Sequence, residues 1–297
     1  MRWLFTILSV SHIKFKNFSS FNTNIIRRIL KLSWPLSIQS FTWIVYSQID
    51  RLLIGYYMAP RHVGIYVASF SIVLLLSFLP QAFSFQALPM FSKISSSDDQ
   101  STYKLAYQKI SKVLFFVSFP LLVLITMFSK EILSILYGKE YISGALALAI
   151  LNLGYFSRCI SGPATESLIS MGKTQGPMIS TLVGCILNTI LNIVLIPKFG
   201  ISGAAVATSV SVFTAQLIVA YINYRYVAIV PFDLSYIIWA TTCVALGAAV
   251  YFLHRHLSFT WLILDIASSC TVYLLISYSI LYFVYLQLFN NKNKQKV

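Results

Sequence analysis

Apolar residues in this chain fall in long uncharged stretches, and the short segments between them carry most of the charge. The stretches are Leu32–Ile49, His62–Ser92, Val113–Ser129, Tyr141–Ser157, Thr174–Pro197, Phe199–Tyr224, Leu234–Leu253 and Ile266–Asn291. A helix needs about 20 mostly apolar residues to cross the hydrocarbon core of a bilayer. The pattern therefore predicts helices near 34–58, 64–90, 112–130, 141–171, 175–197, 202–224, 234–254 and 259–287. Any one of these reads equally well as a buried helix of a soluble protein, but eight in series do not. Composition agrees, with 58% hydrophobic and 10% charged residues and a mean hydropathy of +0.77, far from a soluble average. The expected fold class is an all-α integral membrane protein with about eight transmembrane helices.

A net charge of +14 raises the question of nucleic acid, and the distribution of that charge answers it. With the N-terminus placed in the cytoplasm, fifteen of the 22 Lys and Arg residues fall in cytoplasmic segments, among them Lys93, Lys104, Lys109, Lys112, Lys173 and Arg225. Five (Arg61, Lys130, Lys139, Lys198 and Arg255) fall outside, and Arg51 and Arg158 lie within spans. This is the positive-inside bias, with both termini cytoplasmic in the cell membrane. The basic balance is a topology signal, and no nucleic-acid partner is expected.

Cys159, Cys185, Cys243 and Cys270 all sit in predicted spans without C-x-x-C spacing, so they read as small packing residues. The histidines are scattered, and His254-Arg255-His256 at an outer helix end fits interfacial snorkelling better than a metal site. No nucleophile motif, P-loop or G-x-G-x-x-G occurs. The chain is read as a non-enzyme, with no metal and no cofactor.

Two segments lie outside the spans. Residues 1–31 interleave Lys14, Lys16, Arg27, Arg28 and Lys31 with Phe15, Phe18, Ile25 and Ile26, the pattern of an amphipathic segment on the cytoplasmic membrane face. Between the second and third helices, Ser95-Ser96-Ser97-Asp98-Asp99 reads as a helix N-cap with acidic residues in the first turn.

The polar residues inside the spans bear on function. A charge near the bilayer interior costs roughly 2.5–3.5 kcal/mol even on lenient scales, so such residues usually face a cavity or a partner. Asp50 and Arg51 lie in the first span, Arg158 and Glu166 in the fourth, Asn188 and Asn192 in the fifth, and Asp265 near the outer end of the eighth. Arg158 precedes Gly162-Pro163, a pair that kinks or loosens a helix, and broken helices carrying charge at mid-depth recur at transporter sites. It is read as lining a cavity rather than as half of a structural ion pair. Asn188 and Asn192, four apart on one face, are read first as interhelical hydrogen-bonding residues. Gly203, Ala207 and Ser211 form a small-residue stripe suited to close helix packing.

Several segments carry a resemblance. They are Leu32-Ser33-Trp34-Pro35-Leu36-Ser37, then Gln48-Ile49-Asp50-Arg51-Leu52-Leu53-Ile54-Gly55, and Val63-Gly64-Ile65-Tyr66-Val67-Ala68. Together they resemble the opening of a repeat in Wzx-type polysaccharide flippases of the multidrug/oligosaccharidyl-lipid/polysaccharide (MOP) exporter superfamily. The stretch from Leu187 through Asn188, Asn192, Pro197, Gly200 and Gly203 to Thr208 is closer still, as is Leu168-Ile169-Ser170-Met171-Gly172-Lys173.

The resemblance implies two six-helix MATE-like bundles, often followed by two further helices, and a lipid-linked oligosaccharide carried from the inner to the outer leaflet. This chain matches the C-terminal half of that plan: a basic segment at 1–31, a six-helix bundle at 32–225, two helices at 226–290 and a basic tail at 291–297. Expected partners are a lipid-linked glycan, membrane lipids, and a second half-transporter chain or a homodimer. Arg158 and Arg51 are the candidate diphosphate ligands, because a guanidinium stays charged when desolvated and its fork fits phosphate. Asp50, Glu166, Asn188 and Asn192 complete the candidate substrate-binding set. Rival readings are a multidrug or cation antiporter on the same fold and a non-transporting scaffold for glycan assembly.

The charge count makes a direct prediction. A reporter fused after Lys296 should be cytoplasmic, and one fused near Lys139 should lie outside. Reporter activity on the same side of the membrane for both fusions would exclude the eight-span arrangement.

Overall fold

The computed structural model of the chain describes residues 23–96, 100–229, 231, 233–256, 271, 273, 275, 278 and 279. Among these, regular structure is helical throughout: α1 (Thr23–Tyr57), α2 (Pro60–Ser96), α3 (Gln100–Met127), α4 (Ser129–Tyr137), α5 (Ala145–Ile160), α6 (Ala164–Ser170), α7 (Gln175–Val227) and α8 (Leu234–His256), with a 3₁₀ turn at Lys139–Gly144 before α5. In hydrocarbon only helices or closed barrels satisfy the backbone internally, so this outcome follows from the hydropathy.

The first seven expected segments fall on helices, with different edges. α1 begins at Thr23, so the end of the anticipated amphipathic segment is continuous with the first long helix. α3 begins at Gln100 and carries Lys104, Lys109 and Lys112. Asp98, Asp99, Asp265, Cys270 and the two terminal segments lie outside the described residues, as does nearly all of the helix expected near 259–287. Five helical stretches are long and apolar enough to cross a membrane by composition alone. One of them, α7, contains two of the anticipated spans, because it breaks at Gly200 (φ 58°, ψ −137°). A count of eight spans is therefore not established by the described residues. The fourth anticipated span is divided into α5 and α6.

The chain ends of the helices gather at two poles. At one pole Arg61 pairs with Glu140 at 3.5 Å, and Met58 lies beside the Gly200 break. At the other, the Tyr103 hydroxyl bonds Ser167 and Ser170, Lys173 lies over the Tyr226 ring, and Lys112 Nζ bonds Asp233 Oδ2 at 2.9 Å. Lys112 and Lys173 thus lie at the second pole.

Packing centres on α7. The main core joins Tyr46 and Ile54 of α1, Tyr66, Phe70 and Val73 of α2, Leu148 and Leu151 of α5, and Ile196 and Ala204 of α7. The small-residue stripe Gly203, Ala207 and Ser211 is buried there, where short side chains let helices approach. A second cluster fastens α8 onto α3 through Phe115, Phe116, Trp239 and Cys243. At its base Asp233 accepts hydrogen bonds from the backbone N–H and hydroxyl of Ser235, capping the start of α8. Burial raises the Asp233 carboxyl pKa, but the bonds from Ser235 and Lys112 outweigh that and hold it below the usual carboxylate range.

The Gly200 break depends on a positive φ that L side chains rarely adopt, and a Cβ there would lie 3.0 Å from Met58 Cε. Gly200→Val should cost about 1–3 kcal/mol from backbone strain alone. Gly64→Ala, where a Cβ meets nothing within 4 Å, should leave thermal unfolding of the detergent-solubilised protein unchanged or slightly raised.

Candidate functional site

The local sequence that shapes the site is Ser161-Gly162-Pro163. Proline cannot donate to a helical ladder, and Gly162 adopts φ +59°, with Ser111 where a Cβ would go. α5 therefore ends at Ile160 and α6 starts at Ala164. The Ser161 carbonyl freed by the break finds a partner on a neighbouring helix, as a buried backbone group must, and α6 is held by further bonds. Tyr107 OH donates to Ser161 O at 3.0 Å, and Tyr103 OH donates to Ser167 O at 3.3 Å. Ser161 Oγ donates to Gln216 Oε1 at 2.6 Å, and Ser167 Oγ to Asn223 Oδ1 at 2.6 Å. The break is thus fixed in place from α3 on one side and α7 on the other.

Arg158, one turn before the break, lines a cavity of about 680 Å³ between α1, α2, α5, α6 and α7. Glu166 lines it from α6, Trp43 and Gln39 from α1, and Gln216 and Thr181 from α7. A smaller recess at the break shares Arg158, Glu166, Gln81, Thr165 and Gln216. The Arg158 guanidinium carbon sits 5.1 Å from the centroid of the Trp43 ring, a cation–π distance. Neither the Arg61–Glu140 nor the Lys112–Asp233 ion pair involves Arg158.

Asp50 lies two turns further along α1, about 10 Å from Trp43 at 1.5 Å per residue, and is 4% exposed. Three groups donate to its carboxylate at 2.7 Å: Tyr66 OH to Oδ2, Thr208 Oγ1 to Oδ2 and Asn192 Nδ2 to Oδ1. Asn188 Nδ2 donates to Thr208 Oγ1 at 3.2 Å, and Tyr46 OH to Thr208 O at 3.3 Å. The knot joins α1, α2 and both arms of α7. The side-chain oxygens of Asn188 and Asn192 are buried in it, with no hydrogen-bond donor among the described residues.

The structure therefore sorts the anticipated residues into three places. Arg158 and Glu166 share the cavity. Asp50, Asn188 and Asn192 meet in the buried knot, and the two asparagines form hydrogen bonds across helices. Arg51 faces elsewhere: its Nη1 donates to Gln48 Oε1 at 3.3 Å, and its guanidinium lies 5.8 Å over the Phe70 ring. Trp43, Gln39, Gln216, Tyr66 and Thr208 were not singled out from the sequence, where each reads as an ordinary residue of an apolar or mildly polar span.

The arrangement is a cavity beside a broken helix, with a buried acid at a helix crossing. Comparison with known proteins bears on the class. Residues 2–145 match the family described as polysaccharide biosynthesis protein. A probable low-salt glycan biosynthesis flippase of Haloferax volcanii, Agl15, is 28% identical over 207 residues, covering 70% of this chain and 44% of that protein. Among solved structures, the inward closed lipid II flippase MurJ aligns over 95% of this chain and 59% of its own, with a TM-score of 0.68 and 22% identity. An outward-facing multidrug MATE transporter of the MOP superfamily aligns over 77% of this chain and 55% of its own, with a TM-score of 0.57 and 18% identity. The fold is similar to that of these two solved transporters, and the sequence is similar to that of proteins named as flippases. The chain spans about half the length of the curated relatives it matches.

The knot makes its own prediction. Asp50→Ala strands buried donors, at about 1–3 kcal/mol each, and should lower both membrane abundance and thermal stability. Asp50→Asn keeps the shape, and the Asn192 amide can turn its oxygen toward the new nitrogen, so abundance should stay near normal. Equal losses in immunoblots of the two variants would contradict this account of the knot.

Proposed function

We propose that the chain forms one helical bundle of a flippase that moves a polyprenyl-diphosphate-linked oligosaccharide across the cytoplasmic membrane for polysaccharide biosynthesis. The observation that carries the reading is Arg158: a permanently charged guanidinium lining a cavity at a helix break, with an aromatic face rather than a carboxylate beneath it. A cation placed so is available to a diphosphate, which its fork accepts in a bidentate manner. The named relatives support the substrate class, since Agl15 is described as a glycan biosynthesis flippase and MurJ as a lipid II flippase. The bundle works with a second bundle, which closes the cavity on its open side. The pole bearing Lys93, Lys104, Lys173 and Arg225 faces the cytoplasm, in accord with the positive-inside rule. The protein acts by changing access across the membrane, without chemistry on its cargo.

Asp50 has a separate part in this reading. A buried carboxylate beside two amide oxygens lacking donors is suited to taking up a proton or a small monovalent cation, which would tie the position of α1 to an ion gradient. Arg51, outside the cavity, anchors the neighbouring turn of α1 against α2.

The test measures export and membrane abundance together, in the native host. Arg158→Ala should abolish glycan export at near-normal abundance, and Arg158→Lys should retain part of it, because the charge persists while the fork is lost. Normal export in Arg158→Ala would remove the residue from the site. Loss of the protein itself would make Arg158 a structural group.

A further inference from the structure

The contact between Arg158 and Trp43 has a further use. Trp43 is 38% exposed and lines the cavity. It is held from below by Tyr46, stacked at 5.6 Å and 18°. Tyr46 is itself 5% exposed and tied through its hydroxyl to Thr208 O. The indole is therefore a rigid plate, and the cation resting over it covers part of its ring. The rest of the wall offers the hydrogen-bonding groups of Gln39, Ser40, Thr181 and Gln216, together with the carboxylate of Glu166.

Such a wall suits a pyranose. One face of the sugar ring is largely C–H and packs on an aromatic face, while its rim of hydroxyls pairs with amides and hydroxyls. A cation–π contact is weaker than two charge-assisted bonds from a guanidinium to a phosphate, so an arriving diphosphate wins the cation.

We propose that Arg158 resting on Trp43 is a latch over a sugar-binding face: a diphosphate draws the guanidinium off the indole, and the bared ring takes the first pyranose of the same ligand. This rests on the reading of the cavity as a lipid-linked glycan site, and it makes Trp43 the residue that distinguishes a glycosylated lipid diphosphate from a bare one. The two halves of the ligand are read in order, phosphate before sugar.

The experiment uses the 297-residue chain in lipid nanodiscs and two probes, farnesyl diphosphate and the same lipid carrying one glucose on its diphosphate. The wild type should bind the glucosylated probe at least about tenfold more tightly, a modest stacking and hydrogen-bonding gain. Trp43→Ala should bind the bare probe a few-fold more tightly, because its cation is no longer held, while the preference for the glucosylated probe collapses toward one. Trp43→Phe, which keeps a ring on Tyr46, should retain an intermediate preference. A tenfold preference persisting in Trp43→Ala, or equal weakening of both probes by Trp43→Ala and Trp43→Phe, overturns the latch. Arg158→Ala reports on the underlying reading separately. If it binds both probes as the wild type does, the diphosphate site itself is elsewhere, whereas lost diphosphate binding with an unchanged sugar preference in Trp43→Ala sinks only the latch.

Discussion

Burying one carboxylate organises much of this bundle. Asp50 is out of reach of bulk water, and an isolated charge there is too costly to sustain. The fold meets that demand by bringing Tyr66, Asn192 and Thr208 to one point. Those three residues come from α2 and from both arms of α7, so satisfying one side chain sets the mutual placement of three long helices. Between apolar helices in lipid there is no hydrophobic drive to associate, and close packing with interhelical hydrogen bonds carries the specificity. The buried stripe at Gly203, Ala207 and Ser211 supplies the close packing and the knot supplies the bonds. The Gly200 break is what allows both arms of α7 to reach the same carboxylate.

The second organising demand is the backbone at Ser161–Pro163. Interrupting a helix at membrane depth exposes carbonyls that lipid cannot satisfy. Here Tyr103, Tyr107 and Gln216 join the segment to its neighbours. The break is consequently a fixed feature that fastens α6 between α3 and α7, and it sets Arg158 at the mouth of a cavity. A polar cavity and a buried polar knot thus lie side by side, separated by Trp43 and Tyr46. The aromatic pair is the wall they share.

Much of this was legible from the chain itself, for identifiable reasons. Hydropathy reveals spans because every crossing helix must be apolar over a set length. Gly162-Pro163 announces an interruption because neither residue supports a continuous ladder. Asn188 and Asn192 declare a shared face because four residues make about one helical turn. The partners of those residues were hidden. Nothing local to Asp50 points to Thr208, far along the chain, and a single threonine in an apolar run carries no signal. Trp43 reads as one more apolar residue until the fold places Arg158 over it. Arg51, adjacent in sequence to Asp50, looked equivalent to it, but neighbouring residues on a helix point about 100° apart, and only one of the two reaches the interior. The edges of α1 and α3 extended past their apolar cores because hydropathy marks the hydrocarbon layer, whereas a helix continues beyond it.

The burial pattern of α1 sets how this helix can move. Its buried residues are Pro35, Thr42, Tyr46, Asp50 and Ile54, a single narrow seam, while Phe41, Ile44, Leu52 and Tyr56 are exposed. In a bilayer those outward residues are as comfortable against acyl chains as against protein. Displacing α1 therefore costs almost nothing in solvation on its apolar sides, and the resistance is concentrated in the seam, where Tyr46 and Ile54 pack in the core beside the hydroxyl, amide and carboxylate contacts of Asp50. A helix retained in this way behaves like a door on a magnetic catch, free on most of its faces and held along one narrow edge. The strength of that catch can be altered by a single charge.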